Sequence, residues 1–523
     1  MTTRREESDG REVPEGRRKA TPTADEPRGG KATTASKQAG QQELFSETAD
    51  SPKGAVPGPG RDLSQRQARY AVPMSEDTNG TSPPAMTMEE VASETNLRRA
   101  FERVASNDGA PGPDRQTVTM VRRHLDGILR SVRQALLEGS YRPGLIRRVW
   151  IPKPGGGERG LGIPDVVDRI VQQAVHQVLS PHYEPTFHAS SHGFRPGRSC
   201  HTAIEEAKQH LEEGYEWVVD LDLEKFFDKV HHERLLARLG QRVSDKRLIG
   251  LIRQMLRAKV VMPDGVVVAT EEGTPQGGPL SPLLSNIVLD ELDRELAQRG
   301  HRFVRYADDC NIYVRSERAG QRVMAGVVQF IERRLRLKVN LDKSAVARPE
   351  ERHFVGFRLR RSPDTGAVEV LLSRRSKDRI DERIRQLTPR NWGGSLEACI
   401  ARINRYLGGW MAFFGVCTRG VLSTLKALDA HVRRRLRALL LRQWKRKRYI
   451  VKHLVRLGAR PSTAWREIYK GNRSLWALSH CGPVDYALGK AFFASQGFVP
   501  LATRYLRQPR FTIAPVQMKL ALG

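Results

Sequence analysis

Cysteine is scarce and unpaired. The chain has five in 523 residues, Cys200, Cys310, Cys399, Cys417 and Cys481, and none stands in a CxxC pair. That spacing excludes a zinc knuckle or a disulfide framework as the organising device and leaves reduced thiols. Long apolar runs are missing too: nothing approaches the roughly 18 consecutive apolar residues of a bilayer crossing, so no span and no membrane partner are expected. The opening Met-Thr-Thr-Arg-Arg-Glu-Glu has no apolar centre, so no secretory signal is expected either. Negative charge is in deficit. Against 59 Asp and Glu stand 88 Lys and Arg, a formal charge of +29. Such an excess attracts polyanions. Nucleic acid is the first candidate, because each neutralised phosphate releases condensed counterions; an anionic membrane surface is the alternative.

Hydrophobic residues make up only 39% of the chain, partly because residues 1–85 are rich in Gly, Pro, Ser, Thr, Lys, Arg and Glu. That composition predicts a disordered tail. No internal repeat is visible. From Met86 to residue 140 the apolar spacing is helical, with Val91, Leu97, Phe101 and Val104 in register and Thr87 with Glu90 as a capping box. Residues 141–360 alternate strand-like and helix-like segments, which predicts an α+β fold. Within them, residues 147–164 read as a strand, a glycine-rich turn and a return strand. From about residue 395 onward the pattern is almost wholly helical and very basic.

Two segments carry the chemistry. In the first, Trp217-Val-Val-Asp-Leu-Asp222 reads as a buried strand ending in a carboxylate. In the second, Phe303-Val-Arg-Tyr-Ala-Asp-Asp-Cys-Asn-Ile-Tyr-Val314 reads as a β-hairpin with Asp308 and Asp309 at its turn. Asp is disfavoured in strands, and adjacent carboxylates repel. A divalent cation relieves both penalties, and Mg2+ favours hard oxygen ligands. If Asp222 ends a neighbouring strand it faces Asp308 across the sheet, and two ions about 3.5–4 Å apart would serve phosphoryl transfer. A solvated turn would also carry Asp308-Asp309 in isolation; the order and context of the two segments favour the ion site. Between them, Thr274-Pro-Gln-Gly-Gly-Pro-Leu-Ser-Pro282 combines glycines suited to close ligand approach with Ser281 as a helix cap and Pro282 as the first helical residue. A capped helix after a turn accounts for Ser281-Pro282 but not for Gln276-Gly277-Gly278.

These residues resemble a known family. Asp222-Leu-Glu-Lys-Phe-Phe-Asp228, Thr274–Pro282 and Tyr306-Ala-Asp-Asp309 are similar to the palm motifs of reverse transcriptases, in the same order, and His353-Phe-Val-Gly-Phe357 to the primer-gripping turn. Trp150-Ile-Pro-Lys-Pro154, Gly160-Leu-Gly-Ile-Pro164 and His192-Gly-Phe-Arg-Pro-Gly-Arg-Ser199 resemble the fingers motifs of group II intron reverse transcriptases, or maturases. The resemblance implies a right-hand polymerase: a helical extension of the fingers (86–140), fingers and palm (141–360), a thumb or maturase-specific domain (361–460) and a DNA-binding segment (461–523). It implies Asp222, Asp308 and Asp309 as catalytic ligands of two Mg2+ ions, with Mn2+ a possible substitute, and deoxynucleoside triphosphates as substrate. Phe227 would exclude a ribose 2′-hydroxyl, Lys153 and Arg159 would hold the triphosphate, and Gln276 would lie against the nascent base pair. Lys343 would assist pyrophosphate departure, although a surface lysine reads equally well. Gly160 departs from the proline common after the arginine.

The basic half places Ile403, Leu407, Trp410 and Phe414 on one helical face. Further on, Val432, Leu436, Leu440 and Trp444 alternate with Arg433, Arg434, Arg435, Arg437, Arg442, Lys445, Arg446, Lys447 and Arg448. Like charges at that density repel unless a polyanion neutralises them, so these residues, with Arg195 and Arg198 of the fingers motif, are expected to touch nucleic acid. The implied partners are intron RNA, as template and ribonucleoprotein partner, and a target DNA primer strand, in the cytoplasm at the nucleoid. No His-Asn-His nuclease with paired CxxC motifs is seen, which resembles the endonuclease-lacking class. A domesticated or defence-associated reverse transcriptase is the nearest alternative. Retron enzymes carry a VTG motif absent here, and diversity-generating enzymes have SQ where this chain has Ser281-Pro282. A splicing-only chaperone would be expected to lack a carboxylate, and all three are present.

Overall fold

The structure, a computed structural model, describes residues 85–152 and 157–508. The tail expected over 1–85 therefore lies outside the described residues except for Ala85, and so does Lys153. Ten strands are described: β1 Ile146–Pro152, β2 Glu158–Ile163, β3 Trp217–Leu221, β4 Val260–Val261, β5 Val267–Val268, β6 Arg302–Tyr306, β7 Asp309–Val314, β8 Ala345–Ala347, β9 Phe357–Arg361 and β10 Val368–Leu372. They form a sheet of order β2-β1-β4-β5, a central sheet of order β6-β7-β3-β8 and the hairpin β9-β10. The antiparallel pair β1-β2 is the expected strand and return strand; residues 153–156 of the glycine-rich turn lie outside the described residues.

The central sheet is apolar on both faces. Successive side chains of a strand point to opposite sides, and here the alternation feeds two cores. Val219, Phe303 and Ile312 enter one; their neighbours Val218, Val304 and Tyr313 enter the other. The first core is closed by helices α1 Glu94–Asn107, α2 Leu125–Glu138, α3 Val166–Tyr183, α5 His232–Gly240, α6 Lys246–Leu256, α7 Ser281–Gln298 and α8 Glu317–Phe330, numbered in chain order with α4 Cys200–Glu212. The helix expected around Thr87 is in fact two. Thr87 caps a single turn, Met88–Val91, and Ser93 caps α1 anew.

The second core is built from α4, the β9-β10 hairpin, α9 Arg374–Leu387, α10 Leu396–Phe414, α11 Leu422–Gln443, α12 Lys447–Arg456, α13 Pro461–Tyr469 and the short helices beyond. The expected face of Ile403, Leu407, Trp410 and Phe414 is buried there. Phe357 anchors it, with ring centroids 5.5 Å from Phe413 and 5.2 Å from Phe414. The core does not break where boundaries were expected. Hairpin β9-β10 runs through 360, and α4, far upstream, packs with the C-terminal helices because the second face of the sheet must be covered. At 460 there is no break either: Val484, Phe493, Leu501 and Tyr505 share the core with α10 and α11.

Buried Asp429 of α11 ties the last helix down by accepting from Leu501 N at 2.7 Å and Ala502 N at 3.0 Å. This is a helix cap supplied from another element. Asp429→Ala should lower unfolding free energy by about 1–2 kcal/mol, measured by urea denaturation, and Asp429→Asn by less. Ending the chain at 460 should prevent cooperative unfolding altogether; a sharp transition in that truncation would contradict the shared core.

Candidate active site

Strand pairing brings the two acidic segments together. Leu221 of β3 pairs with Cys310 of β7, so Asp222 follows β3 beside the point where Asp309 opens β7. Tyr306 pairs with Asp309, leaving Ala307-Asp308 as a two-residue turn. Ala307 turns the chain with φ of 57°. The expected hairpin with aspartates at its turn is thus observed. Asp222 is fixed by its own backbone: its N–H donates to Ser344 Oγ at 2.9 Å, and its carbonyl accepts from Asn340 N at 2.8 Å.

The carboxylates perturb one another. Burial raises the Asp308 carboxyl above its ordinary value; Asp222 adds to the rise and Arg159 opposes it. Loss of surrounding water, then the charges of Asp308, Asp220 and Asp222, push Asp309 up to about 7. The Asp309 residue keeps contact with water, so the crowding of protein atoms around it, not full enclosure, removes part of its hydration. Asp220, which sequence reading left aside, is raised by burial against the pull of Arg352, whose Nη2 lies 2.7 Å from its carboxylate. Among the described residues, no group of three or more His, Cys, Asp or Glu side chains is gathered tightly enough to hold an ion as it stands. The donor set nonetheless suits Mg2+ chemically: hard carboxylate oxygens, whose charge a divalent cation would compensate.

Two of the other expected nucleotide contacts, Lys343 and Arg159, lie near the carboxylates. Lys343 Nζ lies 3.8 Å from Asp222 Oδ1, a loose and exposed pair. Arg159, on β2, acts on the Asp308 charge. The glycine loop docks on two sides. Thr274 N donates to Phe227 O at 2.6 Å, and Gln276 O accepts from Gly162 N at 2.7 Å. At Gly277 a Cβ would stand 2.4 Å from Gly162 O, so only glycine allows this approach to β2. Gln276 Oε1 is buried without a hydrogen-bond partner, and Phe227 is buried against Phe226. Ser281 departs from expectation. It is the first residue of α7 and not its cap; its hydroxyl donates to Pro275 O at 2.7 Å and tightens the loop.

The expected nucleic-acid residues divide into those held by partners within the protein and those left exposed. Arg195 is turned inward, with Nε donating to Glu184 at 2.9 Å and Nη1 to His188 O and Ser191 O. Arg198 donates to Ala189 O. Arg437 is buried, paired with Asp485 and donating to Leu488 O. Arg435 donates to Arg385 O and Thr388 O, carbonyls left open at the end of α9. Arg434 lies 4.2 Å over the Trp476 ring, and Arg433 is half-buried. Within the buried middle of α11, Arg435 and Arg437 thus reach carbonyls at the ends of neighbouring helices. The positive face is further on: Arg442, Lys445, Arg446 and Arg448 are exposed and Lys447 half-buried. Sequence reading also missed buried Arg305, whose guanidinium is paired with Asp293. Its signal, an arginine inside an apolar strand, was visible.

Residues 151–359 match the family described as Reverse transcriptase (RNA-dependent DNA polymerase), and residues 377–458 match the group II intron, maturase-specific domain. Protein YkfC of Escherichia coli is 34% identical over 348 residues, 59% of this chain and 89% of its own length. The group II intron-encoded protein LtrA of Lactococcus lactis is 37% identical over 211 residues, 39% of this chain. The putative COX1/OXI3 intron 2 protein of Saccharomyces cerevisiae is 25% identical over 404 residues, 65% of this chain. The matches cover 34% of LtrA and 45% of the yeast protein.

The raised Asp309 carboxyl has a consequence for stability. Between its ordinary value of 3.8 and about 7 the folded chain holds a proton that the unfolded chain has released. Folding stability therefore falls as pH rises through that window. The charges of Asp308, Asp220 and Asp222 hold that proton on Asp309, and the charge of Arg375 opposes them. In EDTA at pH 8, Asp309→Asn should raise Tm by roughly 1–3 °C, with no gain at pH 4. Equal gains at both pH values would contradict the electrostatic account.

Proposed function

The chain belongs to the group II intron-encoded reverse transcriptase/maturase family, and on that premise we propose that it copies intron RNA into DNA and binds the same RNA to assist splicing and retromobility. The observation carrying the reading is the adjacency of Asp222, at the end of β3, to the Asp308-Asp309 turn of β7. Asp222, Asp308 and Asp309 would hold the two Mg2+ ions. When bound, these ions would activate a primer 3′-hydroxyl and neutralise the departing pyrophosphate, and Mn2+ could replace them.

The chain's own residues would do the rest. Arg159, with Lys153, would hold the triphosphate of a deoxynucleotide. Phe227 would bar a ribose 2′-hydroxyl at the docked edge of the glycine loop. Gln276 would face the nascent pair, its unpartnered Oε1 available to a ligand. Lys343 would give a proton to the pyrophosphate. Arg442, Lys445, Arg446, Lys447 and Arg448 would contact the intron RNA backbone, and a target DNA strand would supply the primer.

Asp222→Ala or Asp308→Ala should reduce primer extension on an RNA template by at least about 10²-fold while leaving intron RNA affinity within about twofold. Normal extension by either purified variant would overturn the site. Changing Arg442, Lys445, Arg446 and Arg448 together to Gln should flatten the dependence of log affinity on log salt by about 0.7–0.9 per lost phosphate contact. An unchanged slope would remove this face from the RNA interface.

A further inference from the structure

We propose that Arg305 is the positioning residue of the carboxylate turn, holding Asp308 and Asp309 in place through the carbonyl of Ala307. The proposal rests on the polymerase reading above and deepens it. Arg305 lies on β6, three residues before Asp308, and is fully buried. A buried guanidinium is tolerated only when its donors are satisfied, and here they are. Nε and Nη2 grip the Asp293 carboxylate at 2.7 and 2.5 Å. Nη1 donates to Asn286 Oδ1 at 3.0 Å and to Ala307 O at 2.8 Å. Nη2 also donates to Ser191 Oγ at 2.7 Å.

Each bond leads to a different part of the site. Asp293 and Asn286 belong to α7, which begins immediately behind the glycine loop docked on β2. Ser191 belongs to the loop that runs along β6, with His192 N donating to Arg305 O and Arg305 N to Ser190 O. Asn286 Nδ2 closes the circuit on Gly193 O at 2.9 Å. The Ala307 carbonyl is the end of the network that matters for chemistry. It belongs to the Ala307–Asp308 peptide, and any rotation of that peptide swings the Asp308 side chain. Ala307 has a positive φ, unfavourable for a residue with a Cβ, so the turn needs an external hold. Gly193 presses from the other side, where a Cβ would stand 2.2 Å from Ala307 N.

A simple stabilising pair would need only Asp293. The bond to the turn carbonyl and the reach to two other elements give Arg305 a geometric task that a point charge cannot perform, because an ammonium lacks the planar fork. Arg305→Lys keeps a cation for Asp293 but cannot also span to Ala307 O. Ser191→Ala and Asn286→Ala leave the ion pair intact and each remove one strut.

The test uses the full chain. In the metal-free protein, amide hydrogen exchange across 306–310 should quicken at least about tenfold in Arg305→Lys, through local opening. The Mg2+ concentration needed for half-maximal extension, and for half of the Mg2+-induced rise in Tm, should increase about 10–100-fold. Template-primer affinity should stay unchanged. Ser191→Ala and Asn286→Ala should move the same readouts in the same direction by less. Unaltered exchange with unaltered Mg2+ dependence in Arg305→Lys would overturn the proposal, and if that variant does not fold, the same result in the other two would do so. A wild-type chain without Mg2+-dependent extension would instead defeat the polymerase reading, and the exchange data would still judge Arg305.

Discussion

The constraint on which the rest depends is that the four-stranded sheet β6-β7-β3-β8 must be covered on both faces. Its strands have no polar side to offer water, since alternate residues such as Val218 and Val219, or Ile312 and Tyr313, enter different cores. One core draws its helices from residues between Glu94 and Phe330. The other draws α4 and the whole C-terminal helical region, with Phe357 and its aromatic neighbours at the join. Two regions far apart in sequence are therefore bound to one sheet by apolar burial, which is additive and undirected.

Burial of this kind can carry charge at its edge. The sheet's hydrogen-bonded register delivers Asp222 and the Asp308-Asp309 turn to the same end, where the neighbouring carboxylates add to the rise in proton affinity of Asp308 and Asp309. A fold stabilised only by local contacts could not hold like charges so near. Here the two cores supply the rigidity, and polar braces finish the placement: Ser344 on the Asp222 amide, and Arg305 on the carbonyl of the turn. Stability is given up locally at this turn, where Ala307 takes a positive φ beside crowded carboxylates.

The positive charge follows a similar division of labour. Arginine was abundant enough to suggest a single nucleic-acid surface, yet Arg195, Arg435 and Arg437 are committed to carbonyls and carboxylates inside the protein. Their long stems let them close helix ends that would otherwise bury open carbonyls. Of the basic residues from Arg433 to Arg448, those that face outward are Arg442, Lys445, Arg446 and Arg448, where α11 gives way to α12.

Local pattern in the sequence determined the strands around Asp222 and Asp308, the pair β1 and β2 and the buried face of α10, because each is written in residues two to twelve positions apart. Tertiary structure alone decided which arginines face inward, that Ser281 braces a loop instead of capping a helix, and that residues beyond 460 share a core with α4. Those outcomes turn on which distant carbonyl or apolar face comes within reach after folding. No local periodicity encodes that distance.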